Sequence, residues 1–122
     1  ANGMPELHSL SPILETLQDR GHKVMLVTDG RMSGASGRVP AAIHITPEAM
    51  NGGGIGRIKD GDLITLDAIT GLLSVDADLE DREFTVAPVA DGAFGRALFA
   101  DMRDYAAPAE QGGGINMLRR YS

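Results

Sequence analysis

Residues 22–37, HKVMLVTDGRMSGASG, decide how this chain is read. The opening HKVMLVT is a short apolar run rich in Val, Leu and Met, bounded by Gly21 on one side and by Asp29-Gly30 on the other. A run of that length between glycines reads as a buried strand, since helices need longer periodic stretches. The continuation DGRMSGASG, residues 29–37, places three glycines in nine residues. Neither helix nor strand is expected there, and the backbone is free to take unusual angles. A glycine-rich loop leaving the carboxyl end of a buried strand is where α/β folds place ligands.

Reading outward, residues 10–20 suggest a helix. Ser11 suits the N-cap, Pro12 the first helical position, Ile13, Leu14 and Leu17 share a face, and Gly21 follows as a stop. On the other side, residues 41–45 form a second strand candidate. Thr46-Pro47-Glu48 resembles a cap, a first-turn proline and a dipole-compensating acid opening a short helix, which Asn51 and the glycines at 52–54 end. Strands are expected over 56–58, 62–67 and 72–76, with turns at Asp60-Gly61 and Thr70-Gly71. Residues 79–83 read as a short charged helical turn and 84–86 as a strand. Residues 93–106 read as a helix bearing Phe94, Ala97, Leu98, Met102 and Tyr105 near one face, and 108–122 as a tail that needs a partner. No internal repeat occurs. The order implies one α/β or α+β domain with a barrel-like sheet flanked by helices.

Composition narrows the function. The 122 residues match the size of a single domain, and with aromatics at only 4% the core must come from Leu, Ile, Val, Met and Ala. Cysteine is absent, so this chain by itself offers no disulfide framework, no thiolate nucleophile and no thiolate ligands for a metal or iron–sulfur cluster. A net charge of −6 argues against nucleic acid or an anionic membrane as partner. The acidic excess lies wholly in residues 62–122, so an anionic ligand is expected to meet the neutral first half. No apolar run is long enough to span a bilayer and the start does not read as a signal peptide, so a cytoplasmic location is the default expectation.

In the glycine loop, Ser33 and Ser36 supply hydroxyls and Arg31 and Arg38 supply charge, around backbone N–H groups that can approach an anion closely. Composition leaves open an anion cradle or an ordinary polar surface loop. The loop is no P-loop, lacking Gly-Lys-Ser/Thr, and no nucleophile elbow, lacking a glycine two residues before Ser33. Glu6, in Gly-Met-Pro-Glu, could ligate a hard cation such as Mg²⁺, or be a solvated acid near a helix N-terminus. His44, in an apolar stretch, reads as a hydrogen-bonded core residue rather than a base or ligand. His8 and His22 read as surface residues. Nothing in the spacing assembles Asp29, His44 and Ser33 into a hydrolase triad.

MLVTDGRMSGASGRVPAAIHITPEA (residues 25–49) resembles the C-terminal signature of the dihydroxy-acid dehydratase/6-phosphogluconate dehydratase family. ANGMPELHSLSPILETLQDRGHKV upstream and KDGDLITLDAITGLLSV downstream are similar to the flanking family segments, and the resemblance is loose beyond residue 76. The ASGRVPAAIH wording, and Glu-Leu-His after Met-Pro, are closer to the 6-phosphogluconate branch than to the branched-chain enzymes.

The resemblance implies the C-terminal domain of a much longer, usually dimeric hydro-lyase, with a swivelling β/β/α fold. It implies dehydration of a sugar-acid phosphate to a 2-keto-3-deoxy acid, as in the Entner–Doudoroff pathway. It implies an iron–sulfur cluster ligated by the enzyme's own N-terminal domain, a Mg²⁺ ion for which Glu6 is a ligand, and Ser33 as the base. Ser36, Arg38 and Arg31 are the candidates for holding substrate carboxylate or phosphate. The isolated segment is expected to be inactive. Other readings remain open: a dihydroxy-acid or other sugar-acid dehydratase, a stand-alone module for an anionic metabolite, or a structural interaction domain.

Overall fold

Helix α1 (Met4–Asp19) begins earlier than the Ser11-Pro12 signal predicts, and Pro12 lies inside it. The first-turn proline is Pro5, at a position whose N–H would have no helical partner in any case. Within the helix the Thr16 hydroxyl donates to the Pro12 carbonyl at 2.8 Å. The C-terminus follows the glycine signal: Gly21 has φ +90°, its N–H donates to the Gln18 carbonyl, and the His22 N–H donates to the Leu17 carbonyl. That is the paired closure of a Schellman motif.

The computed structural model describes residues 4–32, 37–85, 99, 102 and 105–115. It divides into two units, Ala1–Val86 and Ala87–Ser122. In the first, β1 (Leu26–Val27) pairs in parallel with β2 (Ala41–Ala42), Leu26 opposite Ala41 and Val27 opposite Ala42. Both are much shorter than the apolar runs that predict them and are half-buried or exposed rather than buried. A parallel pair requires a crossover connection, and the sequence between these two strands contains the glycine loop. α1 lies against this pair, with Ser11, Leu14 and Glu15 meeting Leu26, Met32 and Ala41 around a small cleft. Met32, 8% exposed, is the one buried apolar side chain among the described residues.

After β2 the chain forms two short 3₁₀ turns, Ala49–Asn51 and Gly54–Arg57. The first replaces the helix expected from Thr46. Its first amide, that of Ala49, is capped by the Asp29 carboxylate at 2.6 Å, so a residue from the glycine loop does the work predicted for Thr46. The second replaces the strand expected at 56–58. Gly56 is buried under the Phe84 ring, its N–H donates to the Gly53 carbonyl, and it has no Cβ to hold this tight turn open. Described residues 84 and 85 are not a strand, although the Thr85 N–H donates to the Gly56 carbonyl at 2.8 Å.

The antiparallel hairpin β3 (Ile64–Asp67) and β4 (Leu72–Val75) falls within the two expected strands, with Ile64 opposite Val75 and Asp67 opposite Leu72. Its alternation puts Ile64, Leu73 and Val75 on one face, where with Val27, Ile45 and Ile55 they line an apolar groove of about 200 Å³. Asp67 organises the turn: its carboxylate accepts from the Ile69 and Thr70 amides at 2.8 and 3.2 Å, and Gly71 takes φ +72°. The Thr70 side-chain bond and these two amides hold the Asp67 carboxyl below the usual carboxylate range. A group whose folded pKa is depressed stabilises the fold above its unfolded pKa, and that contribution is lost as pH falls through the folded value. Amide NMR shifts of Ile69 and Thr70 are therefore expected to titrate at lower pH than an unperturbed aspartate, and Asp67→Ala to abolish that titration. Titration at the unperturbed value would contradict the turn assignment.

In the second unit, Ala109–Gln111 is a 3₁₀ turn closed by an antiparallel bridge between Ala106 and Ile115 and by the Ala107 N–H donating to the Gly114 carbonyl at 2.7 Å. The expected tail from 108 thus has local structure as far as Ile115. Met102 is helical, but most of the helix expected at 93–106 lies outside the described residues. Among the described residues the arrangement is mixed α+β, with α1, two small sheets and no closed barrel. Among those residues no helix is long and apolar enough to cross a membrane.

Candidate active site at the glycine loop

The chain leaves β1 at Thr28 and enters the loop through a tightly bonded stem. The Thr28 hydroxyl accepts from the Gly30 N–H at 2.9 Å. From the other side, the His44 N–H donates to the Gly30 carbonyl and the Ile45 N–H to the Thr28 carbonyl, both at 3.2 Å. The Met32 N–H donates to Nε2 of His44 at 3.1 Å. These bonds continue the β1–β2 pairing past its last ladder residues and fix the backbone up to the position before Ser33.

Two arginines flank the loop, each within an ion pair. Arg31 lies 2.8 Å from the Glu48 carboxylate, both partly buried. Arg38 lies 3.2 Å from Glu15 and 3.5 Å from Asp19, and the Gln18 side-chain amide donates to its carbonyl at 2.7 Å. Arg38 thereby ties the far end of the loop to α1. An anion arriving at either guanidinium must join or displace a carboxylate already there. That favours a ligand with several acceptor oxygens, which can satisfy the guanidinium fork in two directions.

The sequence candidates fall into two groups. Arg31 and Arg38 are placed at the two ends of the loop. Ser33 and Ser36 lie outside the described residues. Glu6 is in the first turn of α1, where a carboxylate is favoured by the helix dipole, and its side chain is likewise outside what is described. His44 departs from the reading as a core strand residue: it follows β2, is exposed and has φ +56°. It is hydrogen-bonded, as expected. Asp29 and His44 are spent on the Ala49 and Met32 amides, which leaves the triad idea without support. Sequence reasoning missed Glu48 as the partner of Arg31, and Asp29 as a cap. Both contacts join residues far apart in sequence, and no spacing rule marks them.

Among the described residues no group of three or more His, Cys, Asp or Glu is placed to hold a metal. With no cysteine in the sequence, thiolate ligands for a cluster are not available from these residues. A carboxylate such as Glu6 is a hard oxygen donor that fits Mg²⁺ as one ligand of several.

Residues 1–113 match the protein family described as "Dihydroxy-acid/6-phosphogluconate dehydratase C-terminal". The chain is 53% identical over 120 residues to the phosphogluconate dehydratase of Rhizobium meliloti, covering 94% of this chain and 20% of that protein. It is 56% identical over 117 residues to the phosphogluconate dehydratase of Pseudomonas aeruginosa, covering 92% and 19%. A dihydroxy-acid dehydratase of Prochlorococcus marinus is 49% identical over 82 residues, covering 66% and 14%. The chain thus spans about one-fifth of the length of the curated phosphogluconate dehydratases it matches.

Proposed function

From the premise that this chain belongs to the dihydroxy-acid/6-phosphogluconate dehydratase family, as a C-terminal segment, we propose that it is the C-terminal domain of a phosphogluconate dehydratase. The observation that carries the reading is the roughly one-half identity, over nearly the whole chain, to relatives bearing that name. In this reading the rest of the polypeptide forms an N-terminal domain, the complete enzyme works as a cytoplasmic homodimer, and the segment takes the swivelling β/β/α arrangement with residues from 108 onward as a tail.

The reaction removes water from 6-phosphogluconate. Ser33 Oγ, in its deprotonated form, takes the C2 proton, the C2–C3 double bond forms as the C3–O bond breaks, the departing hydroxide takes up that proton and is released as water, which restores the deprotonated Ser33, and the enol tautomerises to the 2-keto-3-deoxy acid. A serine hydroxyl is a weak base at neutral pH and needs a neighbouring cation to lower its pKa. Arg31 and Arg38 bring positive charge to the two ends of the loop, and with Ser36 they hold the substrate carboxylate or phosphate. Glu6 would offer one oxygen to Mg²⁺. When bound, the ion would neutralise the substrate carboxylate, and a cluster ligated outside these residues would assist departure of the hydroxyl.

The test is an assay of the full-length polypeptide with 6-phosphogluconate and with a branched 2,3-dihydroxy acid, following 2-keto product. Turnover of the phosphorylated sugar acid, with the branched acid poor, is expected. The reverse preference would move the chain to the dihydroxy-acid branch, to which it is also similar. The 122 residues alone are expected to be inactive, and turnover by them would refute the divided site.

A further inference from the structure

We propose that Glu48 is a positioning residue for substrate binding, whose carboxylate holds the Arg31 guanidinium in place before an oxyanion of the substrate reaches it. The inference rests on the reading of Arg31 as a residue that holds substrate. Three observations converge on Glu48. Its carboxylate lies 2.8 Å from the Arg31 guanidinium, the Arg31 and Glu48 side chains being 34% and 21% exposed. It occupies the cap position of the turn Ala49–Asn51, yet its side chain makes no cap hydrogen bond. An acid there ordinarily bends back onto the amides of its own turn. That work is done by Asp29, whose carboxylate accepts the Ala49 N–H at 2.6 Å. The cap supplied by Asp29 releases Glu48 to reach Arg31.

The backbone is fixed on both sides of the pair. The Glu48 carbonyl accepts the Asn51 and Gly53 N–H groups, each at 2.9 Å, which anchors the residue that carries the carboxylate. Next to Arg31, the Gly30 N–H donates to the Thr28 hydroxyl oxygen and the Gly30 carbonyl accepts from the His44 N–H. An arginine side chain held between two such anchors gives up its rotamer freedom on folding, so that cost does not fall on ligand binding. A guanidinium carries five N–H donors in a planar fork, so it can hold a carboxylate and an oxyanion together. The charge of Glu48 opposes an incoming anion while its grip on Arg31 favours one. The two effects have opposite signs, and substitutions separate them.

The test uses the full-length enzyme with 6-phosphogluconate. Glu48→Ala removes both grip and charge, Glu48→Asp keeps the charge on a side chain one methylene shorter, and Glu48→Gln keeps an oxygen acceptor at full length without the charge. In Glu48→Ala and Glu48→Asp, KM is expected to rise about 3- to 10-fold with little change in kcat, the cost of ordering one long side chain on binding. Glu48→Gln should recover most of that loss. Arg31→Ala should itself raise KM, and adding Glu48→Ala to it should raise KM no further, because the two residues act as one unit. Inorganic phosphate and gluconate, used as competitive inhibitors, tell which end of the substrate Arg31 meets. Weaker inhibition of Glu48→Ala by phosphate places the phosphate there, and weaker inhibition by gluconate places the carboxylate there.

Unchanged KM in Glu48→Asp would overturn the proposal, since charge alone would then suffice. So would a lower KM in all three Glu48 variants, which would make Glu48 a barrier to the anion, a loss in Glu48→Gln as large as in Glu48→Ala, or weakened inhibition by neither anion. Should Glu48→Ala fail to fold, Glu48→Asp and Glu48→Gln still decide. Unchanged KM in Arg31→Ala would overturn the reading of Arg31 itself. A raised KM there, with unchanged KM in Glu48→Ala, would overturn the positioning role alone, so the two failures are distinguishable.

Discussion

In the full-length enzyme, Ser33→Ala is expected to lower kcat by about 10²- to 10⁴-fold, the range that a positioned general base contributes. The size of the effect follows from what alanine lacks. The C2 proton of a sugar acid is weakly acidic, and alanine offers no group to accept it. Thr28, Gly30 and Met32 are all hydrogen-bonded within that stem, so the backbone leading to residue 33 is the same in the variant. If Arg31 and Arg38 hold the substrate as proposed, binding should persist, leaving KM within a few-fold while kcat collapses. The absorption spectrum of any bound cluster should be unchanged, because its thiolate ligands are not in these residues. Near-normal kcat in the variant would remove Ser33 as the base. Loss of the cluster spectrum would show that its effect is structural.

Gly53→Ala is expected to be the most damaging single change to stability. A Cβ at Gly53 would overlap the Pro47 carbonyl oxygen and stand 2.5 Å from its carbon. Both are backbone atoms, so no rotamer change relieves the overlap. Gly53 has φ −61°, an angle open to any residue, so the problem is space and not conformation. The neighbouring peptide cannot move cheaply, because the Gly53 N–H is bonded to the Glu48 carbonyl at 2.9 Å and Glu48 is held to Arg31. Overpacking of this kind typically costs about 1–3 kcal/mol, and an unrelievable backbone clash belongs at or above the top of that range. Because the 3₁₀ turn at 49–51 is linked through the Asp29 carboxylate to the glycine loop, the distortion should also reduce turnover. Thermal unfolding should show a clear fall in Tm for Gly53→Ala and little change for Gly114→Ala, where a Cβ meets nothing within 4 Å. Equal midpoints would mean that Pro47 does not approach Gly53 as described.

The elements most legible in sequence are those fixed by local chemistry. The β3–β4 hairpin carries its alternation and turn residues within a dozen positions, and its pairing follows them. The Gly21 stop of α1 needs only a residue that accepts positive φ. Where reading went astray, a distant group supplied what the local pattern lacked. Asp29 caps a turn twenty residues away, so the helix signal at Thr46 was not used. The glycines at 52–54 and 56 allowed the chain to fold tightly where apolar residues alone suggested a strand. α1 starts before the Ser11-Pro12 signal, and Pro5 fits its first turn as well as Pro12 would.

By itself the sequence determined the family, the loop and the chemical type of its candidates, because these depend on residue identity in an unbroken order. It also established that these residues offer no thiolate, since cysteine is absent from the sequence. Only the tertiary structure decided what each charged group is spent on: Arg31 on Glu48, Arg38 on α1, Asp29 on a backbone amide and His44 on the loop stem. Hydrogen bonds and ion pairs act over about 3 Å through space and are indifferent to separation along the chain, so their partners are set by folding and leave no mark in the local pattern.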